Sequence, residues 1–201
     1  TSSQEIGHDK IKTKRLLREH GVPVLDDVVA HTAQEVLQAL SDTAWYVIKP
    51  HDSGAGAGVF LIKKEAEKIF LYIHGKWTEG FVTDQRKRNG ATVVVLRYRT
   101  RFALKKHIYK LVLVEPYFND DPEGFASIRC TVIGDTVVEA VKRVNKKNVT
   151  SNVSSGGKAR AVTLLKEQEA LAVKALQTIG ADYAGVDFLV CNGKTAVGEI
   201  N

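Results

Sequence analysis

Apolar residues recur along this chain at two spacings, one that suits helices and one that suits strands. Ile11, Leu16 and Leu17 mark the buried side of a helix over residues 10–20, with Asp9 placed to cap it and Gly21 to end it. Pro23 forces Val22-Pro23-Val24 into an extended path. Thr32-Ala33-Gln34-Glu35 has the form of a capping box and opens a second helix through Val36, Leu37 and Leu40. Residues 45–49 and 59–62 read as strands. Residues 65–73 read as an amphipathic helix carrying Ile69, Phe70 and Ile73 on one side. Residues 91–99 alternate as a strand does, and 111–114 form a continuous apolar strand. Residues 128–133 and 136–144 form a hairpin about Gly134-Asp135. Thr150-Ser151-Asn152 and Gly156-Gly157 make a polar loop, disordered by composition. A last helix over 165–179 stops at Gly180. The mixture predicts an α+β chain.

The closing stretch, residues 185–201, reads as two strands joined at Asn192-Gly193, a strong hairpin signal. Asp187, Glu199 and Asn201 sit at its two ends, and Glu199 and Asn201 share a face because they are two apart. A two-residue loop pairs Asp187 with Gly198 and puts the two carboxylates on opposite faces. A three-residue loop, with Gly193 left-handed, brings all three oxygen-bearing side chains together. The first register gives a solvated hairpin. The second gives a cluster of hard oxygen ligands, of the kind Mg²⁺ needs when it bridges nucleotide phosphates. The pattern alone allows both.

With 201 residues, 44% of them apolar, the chain can bury a proper core as one large domain or two small ones. No apolar run approaches the ~18 residues of a membrane span, and no signal-peptide pattern opens the chain. Cys130 and Cys191 stand alone, without CxxC or His spacing, which suits a cytoplasmic protein without disulfides. A chain that starts at Thr1 and has no Met reads as a segment trimmed from something longer.

The net charge of +6 is localised. Residues 84–110 hold nine Lys and Arg (Arg86, Lys87, Arg88, Arg97, Arg99, Arg101, Lys105, Lys106 and Lys110) against Asp84 alone. A solvated hairpin ranks first for this stretch. An electrostatic dock for an acidic acceptor peptide ranks second. Nucleic-acid contact through Tyr98, Phe102 and Tyr109 ranks third.

Lys49-Pro50 leads into Ser53-Gly54-Ala55-Gly56-Ala57-Gly58 and then into a strand. A dinucleotide fingerprint needs GxGxxG before a helix, and this is GxGxG before a strand. Gly193-Lys194-Thr195 has the tail of a Walker loop, but Phe188 occupies its first glycine position. What remains is a β-hairpin flap whose small residues let backbone N–H groups approach phosphates, with Lys49 at its base.

Taken together, several pieces resemble the ATP-grasp fold, and within it the RimK-type carboxylate–amine ligases. They are Asp9-Lys10, Ile48-Lys49-Pro50 with the glycine loop, Leu113-Val114-Glu115-Pro116-Tyr117-Phe118, Ser127-Ile128-Arg129, Val141-Lys142-Arg143-Val144, Ser151-Asn152 with Gly156-Gly157, Gly185-Val186-Asp187 and Glu199-Ile200-Asn201. The specificity lies in their joint order. The resemblance implies a small lobe over 1–62, with its flap at 54–58, continuing to about 113 on a wider reading. It implies a basic insert over 63–110 and a large lobe over 111–201, with the family's N-terminal substrate domain missing.

The resemblance also implies roles. ATP would lie between the two lobes. Lys10, Lys49, Ser53, Gly54, Gly56 and Gly58 would contact the nucleotide and its phosphates. The hinge Glu115, Pro116, Tyr117 and Phe118 would hold adenine through the main chain. Pro116 has no N–H, so the donor would be Tyr117 or Phe118. Arg129, Arg143 and Asn152 would hold the transferred phosphoryl group and the acyl phosphate. Asp187, Glu199 and Asn201 would bind one or two Mg²⁺ ions, with Mn²⁺ as the alternative. The implied reaction phosphorylates a carboxylate and lets an amine displace the phosphate. The implied enzyme works in the cytoplasm on soluble substrates, with homo-oligomers allowed. Ser127 departs from the family's Asp at this position, where Asp120, Asp121 or Glu123 could stand in. A different small-metabolite ligase, or a non-catalytic nucleotide- or RNA-binding module, is the competing reading.

Overall fold

The computed structural model describes residues 9–42, 44–51, 58–73 and 75–201. The chain falls into two units, Thr1–Leu25 with Phe118–Asn201 and Asp26–Tyr117. These divisions follow Leu25 and Tyr117, whereas the sequence reading draws its lobes at 62/63 and 110/111. The first helix, α1 (Lys10–Glu19), therefore counts with the C-terminal strands. Asp9 caps it as expected, its Oδ1 accepting the N–H groups of Ile11 and Lys12 at 3.1 and 3.2 Å.

The continuous unit holds β1 (Val28–Ala30), α2 (Ala33–Ala39), β2 (Trp45–Pro50), β3 (Phe60–Glu65), β4 (Lys68–Ile73), β5 (Lys76–Arg86), β6 (Thr92–Arg99), β7 (Leu104–Tyr109) and β8 (Val112–Pro116). The strands make one antiparallel sheet in the order β1-β8-β2-β3-β4-β5-β6-β7. Val36 of α2 joins Ile48, Ile62, Leu71, Val94, Leu96 and Val112 in its core. The capping box of α2 forms as read, with Thr32 and Glu35 each satisfying the other's backbone. The basic stretch is not a separate appendage, since it supplies β6, β7 and part of β5.

The expected helix over 65–73 is wrong. Ala66, at φ 51°, turns the chain so that Glu65 pairs with Lys68, and β4 follows. Ile69, Leu71 and Ile73 fit a period of two as well as Ile69 and Ile73 fit a helix. Buried Ile69 and Leu71 show which period prevails, in a run rich in β-branched and aromatic residues.

The discontinuous unit adds β9 (Phe125–Ile133), β10 (Thr136–Asn145), β11 (Lys158–Ala161), α3 (Lys166–Ile179), β12 (Tyr183–Cys191) and β13 (Lys194–Ile200). Its antiparallel sheet runs β11-β10-β9-β12-β13. Leu176, Ala172 and Ala175 of α3 and Leu17 of α1 bury Cys130, Val132, Val186, Phe188, Val197 and Ile200 on one sheet face. The opposite face is left for polar residues. The loop read as disordered is built instead. Ser151 is buried, a 3₁₀ turn spans Val153–Ser155, and a Cβ at Gly157 would lie 2.2 Å from the Ser151 carbonyl oxygen. Among the described residues no helix is long and apolar enough to cross a membrane.

Leu176 is fully buried beneath the sheet. Replacing it with Ala should cost about 2–5 kcal/mol, seen as a lower urea midpoint at unchanged slope.

Candidate functional site

The final hairpin combines the two registers that the sequence allowed. Its turn is the two-residue one, with Asn192 and Gly193 at φ 50° and 71°. Cys191 pairs with Lys194, and the count continues to Phe188 opposite Val197. The register then shifts by one residue, so that Gly198 is left over and Asp187 pairs with Glu199. The two carboxylates share a face because of this bulge, and the turn plays no part in it. Glycine suits the bulge, since a Cβ on Gly198 would approach the Leu189 side chain to 3.2 Å.

Arg129 of β9 lies opposite Asp187 on its other side, so Glu199, Asp187 and Arg129 stand abreast across three strands. Val141 of β10 pairs with Arg129, which puts Arg143 on the same face two residues along. Arg129 grips Asp187 with two bonds of 2.7 Å, Nε to Oδ1 and Nη2 to Oδ2. Arg143 Nη2 lies 3.0 Å from the same Oδ2. Asp187 and Arg143 are both buried. The contact with Asp187 holds the Arg129 guanidinium above its ordinary pKa, against partial burial. Lys10 Nζ, from the first turn of α1, is 3.2 Å from Glu199 Oε1. Asn201 is exposed, and its backbone exchanges two hydrogen bonds with Gly185, of 2.8 and 2.9 Å.

Ser127 sits where a carboxylate was expected. Its Oγ accepts from Arg143 Nη2 at 2.8 Å and Nε at 3.1 Å, and lies 2.6 Å from Ser151 Oγ. Arg143 Nη1 donates to Asn152 Oδ1 at 3.1 Å. Ser151 carries a role that the sequence reading missed; its only signal was its place beside Asn152. Lys14 was also missed. It is buried one turn after Lys10 and lines a small recess with Glu199 and Gly198.

The three acids weighed as replacements for Ser127 are engaged elsewhere. Asp120 accepts the Asn192 N–H at 2.7 Å, Asp121 pairs with Lys142, and Glu123 pairs with Lys142 and Arg160. Burial pushes the Cys130 thiol up to about 12, helped by the nearby Asp187 carboxylate. Cys130 and Cys191 are both free, as their spacing implied.

In the other unit Lys49 Nζ is 2.8 Å from Glu115 Oε1, with both side chains largely buried. Of the two candidate main-chain donors, Tyr117 gives its N–H to the Trp45 carbonyl at 2.8 Å. Gly58 has φ +72°, and its carbonyl accepts from Tyr109 OH at 3.0 Å. Ser53, Gly54 and Gly56 lie outside the described residues. Among the described residues no three His, Cys, Asp or Glu side chains cluster, and the two acids that register brings together here are Asp187 and Glu199.

A family model described as the RimK-like ATP-grasp domain matches residues 82–201. A probable alpha-L-glutamate ligase of Halorhodospira halophila is 30% identical over 196 residues, covering 96% of this chain and 54% of its own length. A ribosomal protein bS6–L-glutamate ligase of Escherichia coli is 28% identical, covering 96% of this chain and 55% of its own length. The chain thus spans about half the length of these relatives. Among solved structures, the ATP-grasp ligase PsnB, complexed with a phosphomimetic variant of its minimal precursor, Mg and ADP, has a TM-score of 0.61 at 19% identity. That alignment covers 99% of this chain and 51% of PsnB. D-alanine–D-alanine ligase from Bacillus anthracis has a TM-score of 0.59 at 16% identity over 99% of this chain and 58% of its own.

Two outcomes follow from these contacts. Asp187→Ala leaves buried Arg143 without its carboxylate and should cost about 3–5 kcal/mol in urea unfolding. Hydrogen bonds from Arg160 and then Lys142 hold the Glu123 carboxyl down at about 2, below its ordinary 4.5. A lowered folded pKa adds stability above the ordinary value and loses it as pH falls towards the folded one. Glu123→Gln should therefore flatten the acid side of the melting-temperature profile between those two values.

Proposed function

This chain belongs to the RimK-like ATP-grasp family, and from that membership we propose that it is the nucleotide-binding part of an ATP-dependent carboxylate–amine ligase. The observation that carries the reading is the row Glu199–Asp187–Arg129 with Arg143 beside it. Two hard-oxygen acids and two guanidiniums are aligned there by register on one polar sheet face. The relatives' names favour glutamate as the amine and a peptide as the acceptor. Carboxylate and ATP would give an acyl phosphate and ADP. The amine would then displace phosphate and form the amide.

The donor set fits Mg²⁺, being two carboxylates and a carboxamide, all hard oxygens. Asp187, Glu199 and Asn201 would hold the ion, which when bound neutralises phosphate charge. Arg129 and Arg143 would grip phosphate oxygens in their planar fork, with Asn152 beside them. Both arginines now rest on Asp187, and Lys10 on Glu199. An arriving polyphosphate would take over these cations and release the carboxylates. Ser127, itself held by Ser151, would keep Arg143 aimed, because its hydroxyl accepts from both Nε and Nη2 of that guanidinium. Lys49, in the continuous unit, would contact phosphate, and the segment Glu115 to Phe118, whose last residue belongs to the discontinuous unit, would hold adenine through its main chain. Phe118 would be the main-chain donor, because Tyr117 already gives its N–H to Trp45. The chemistry asks little acid–base work of the chain; positioning and charge neutralisation would do most of it.

Phosphate release from Mg-ATP, measured with glutamate and a peptide acceptor, tests the proposal. Glu199→Gln should lower kcat on the order of 100-fold. It should shift stability by no more than about 1 kcal/mol, since its pair with Lys10 is partly solvated. Unchanged turnover in that variant would remove the assignment.

A further inference from the structure

β7 is the outermost strand of the eight-stranded sheet, so among the described residues one side of its backbone has no strand partner. Leu104, Lys106 and Ile108 alternate on one of its faces, and all three are exposed. Across β6, Lys106 stands directly opposite Arg97 and Leu104 opposite Arg99. Exposed Phe81 of β5 continues the row beyond Arg97.

Two features of this face call for a partner. Like charges directly opposed across strands destabilise a sheet, and Arg97 and Lys106 are so placed. Among the described residues, none of the nine cations of 84–110 has an ion-pair carboxylate. The one acid of the stretch, Asp84, accepts the Ala33 N–H at 2.7 Å at the start of α2. Basic residues on edge strands also discourage edge-to-edge association. That purpose does not require cation facing cation, nor an exposed aliphatic on either side of the charge.

We propose that the β7 edge docks an extended acidic peptide as an added strand. A Glu or Asp of the peptide would sit over Lys106 and Arg97, with apolar side chains two residues to either side over Leu104 and Ile108. Backbone pairing gives affinity in this mode and the alternate side chains give selectivity. Single-stranded nucleic acid is the poorer fit. Tyr98 and Tyr109, which a stacking platform would need, are buried in the core, and of the three aromatics only Phe102 is open. The docking uses none of Lys10, Asp187 or Glu199, so it stands apart from the ligase reading.

The probe is a fluorescein-labelled Val-Thr-Glu-Thr-Val-Thr-Glu-Thr-Val peptide, followed by anisotropy at low salt. Saturable binding is expected. It should weaken on the order of tenfold in the double variant Arg97→Glu/Lys106→Glu, whose folding is checked by its melting curve. With the unaltered protein, the same peptide N-methylated at alternate amides should lose binding to a similar degree. Glu199→Gln should bind the peptide normally even if it no longer turns over ATP. Absence of saturable binding, equal binding of the N-methylated peptide, or tighter binding of an oligo-uridine of equal length would each overturn the proposal.

Discussion

Asp187 is the constraint on which the polar face of the five-stranded sheet depends. Its carboxylate binds one arginine through two bonds and a second through one, and it is nearly out of water. A buried acid in that position needs its partners, and buried Arg143 needs it in turn. The result is a fixed arrangement of charge on a polar surface, backed by a dry layer of Leu176, Phe188 and Val186. The rigidity of the packed face is what allows the opposite face to hold cations at set spacings.

The same device recurs at the four described cations proposed above for phosphate. Lys10 is matched by Glu199, Arg129 and Arg143 by Asp187, and Lys49 by Glu115. Each carboxylate holds its cation in place. The basic stretch differs from this pattern, because among the described residues its cations have no such acids, and Arg97 faces Lys106. Held charge within the site and unmatched charge at the β7 edge suggest two different tasks.

Where local chemistry decides, the sequence was legible. Asp9, the Thr32–Glu35 box, the stops at Gly21 and Gly180, and the Asn192-Gly193 turn are all where side-chain hydrogen bonding and positive φ require them. The family was legible because the joint order of the chain's motifs resembles it. What escaped depended on distant partners. Ile69 to Ile73 satisfies two periods, and only the neighbouring strands choose between them. The bulge at Gly198 is invisible to a count from the turn, which continues unbroken only as far as Phe188 and Val197. Ser127 looked like a lost carboxylate, but its hydroxyl continues a chain of contacts through Arg143 and Ser151 that no spacing rule contains.

The division of the chain has a consequence for its synthesis. Residues 26–117 are continuous, so every strand of the larger sheet exists once Tyr117 has emerged from the ribosome. The other unit cannot close until β13 arrives, because Val22-Pro23-Val24 runs beside Val197 and Leu17 packs in that core. Helix α1 therefore cannot meet α3 and β13, its packing partners, before residues 26–117 have been made. Five of the ten residues of α1 are Lys or Arg, and like charge opposes association of such a helix while its partners are unmade.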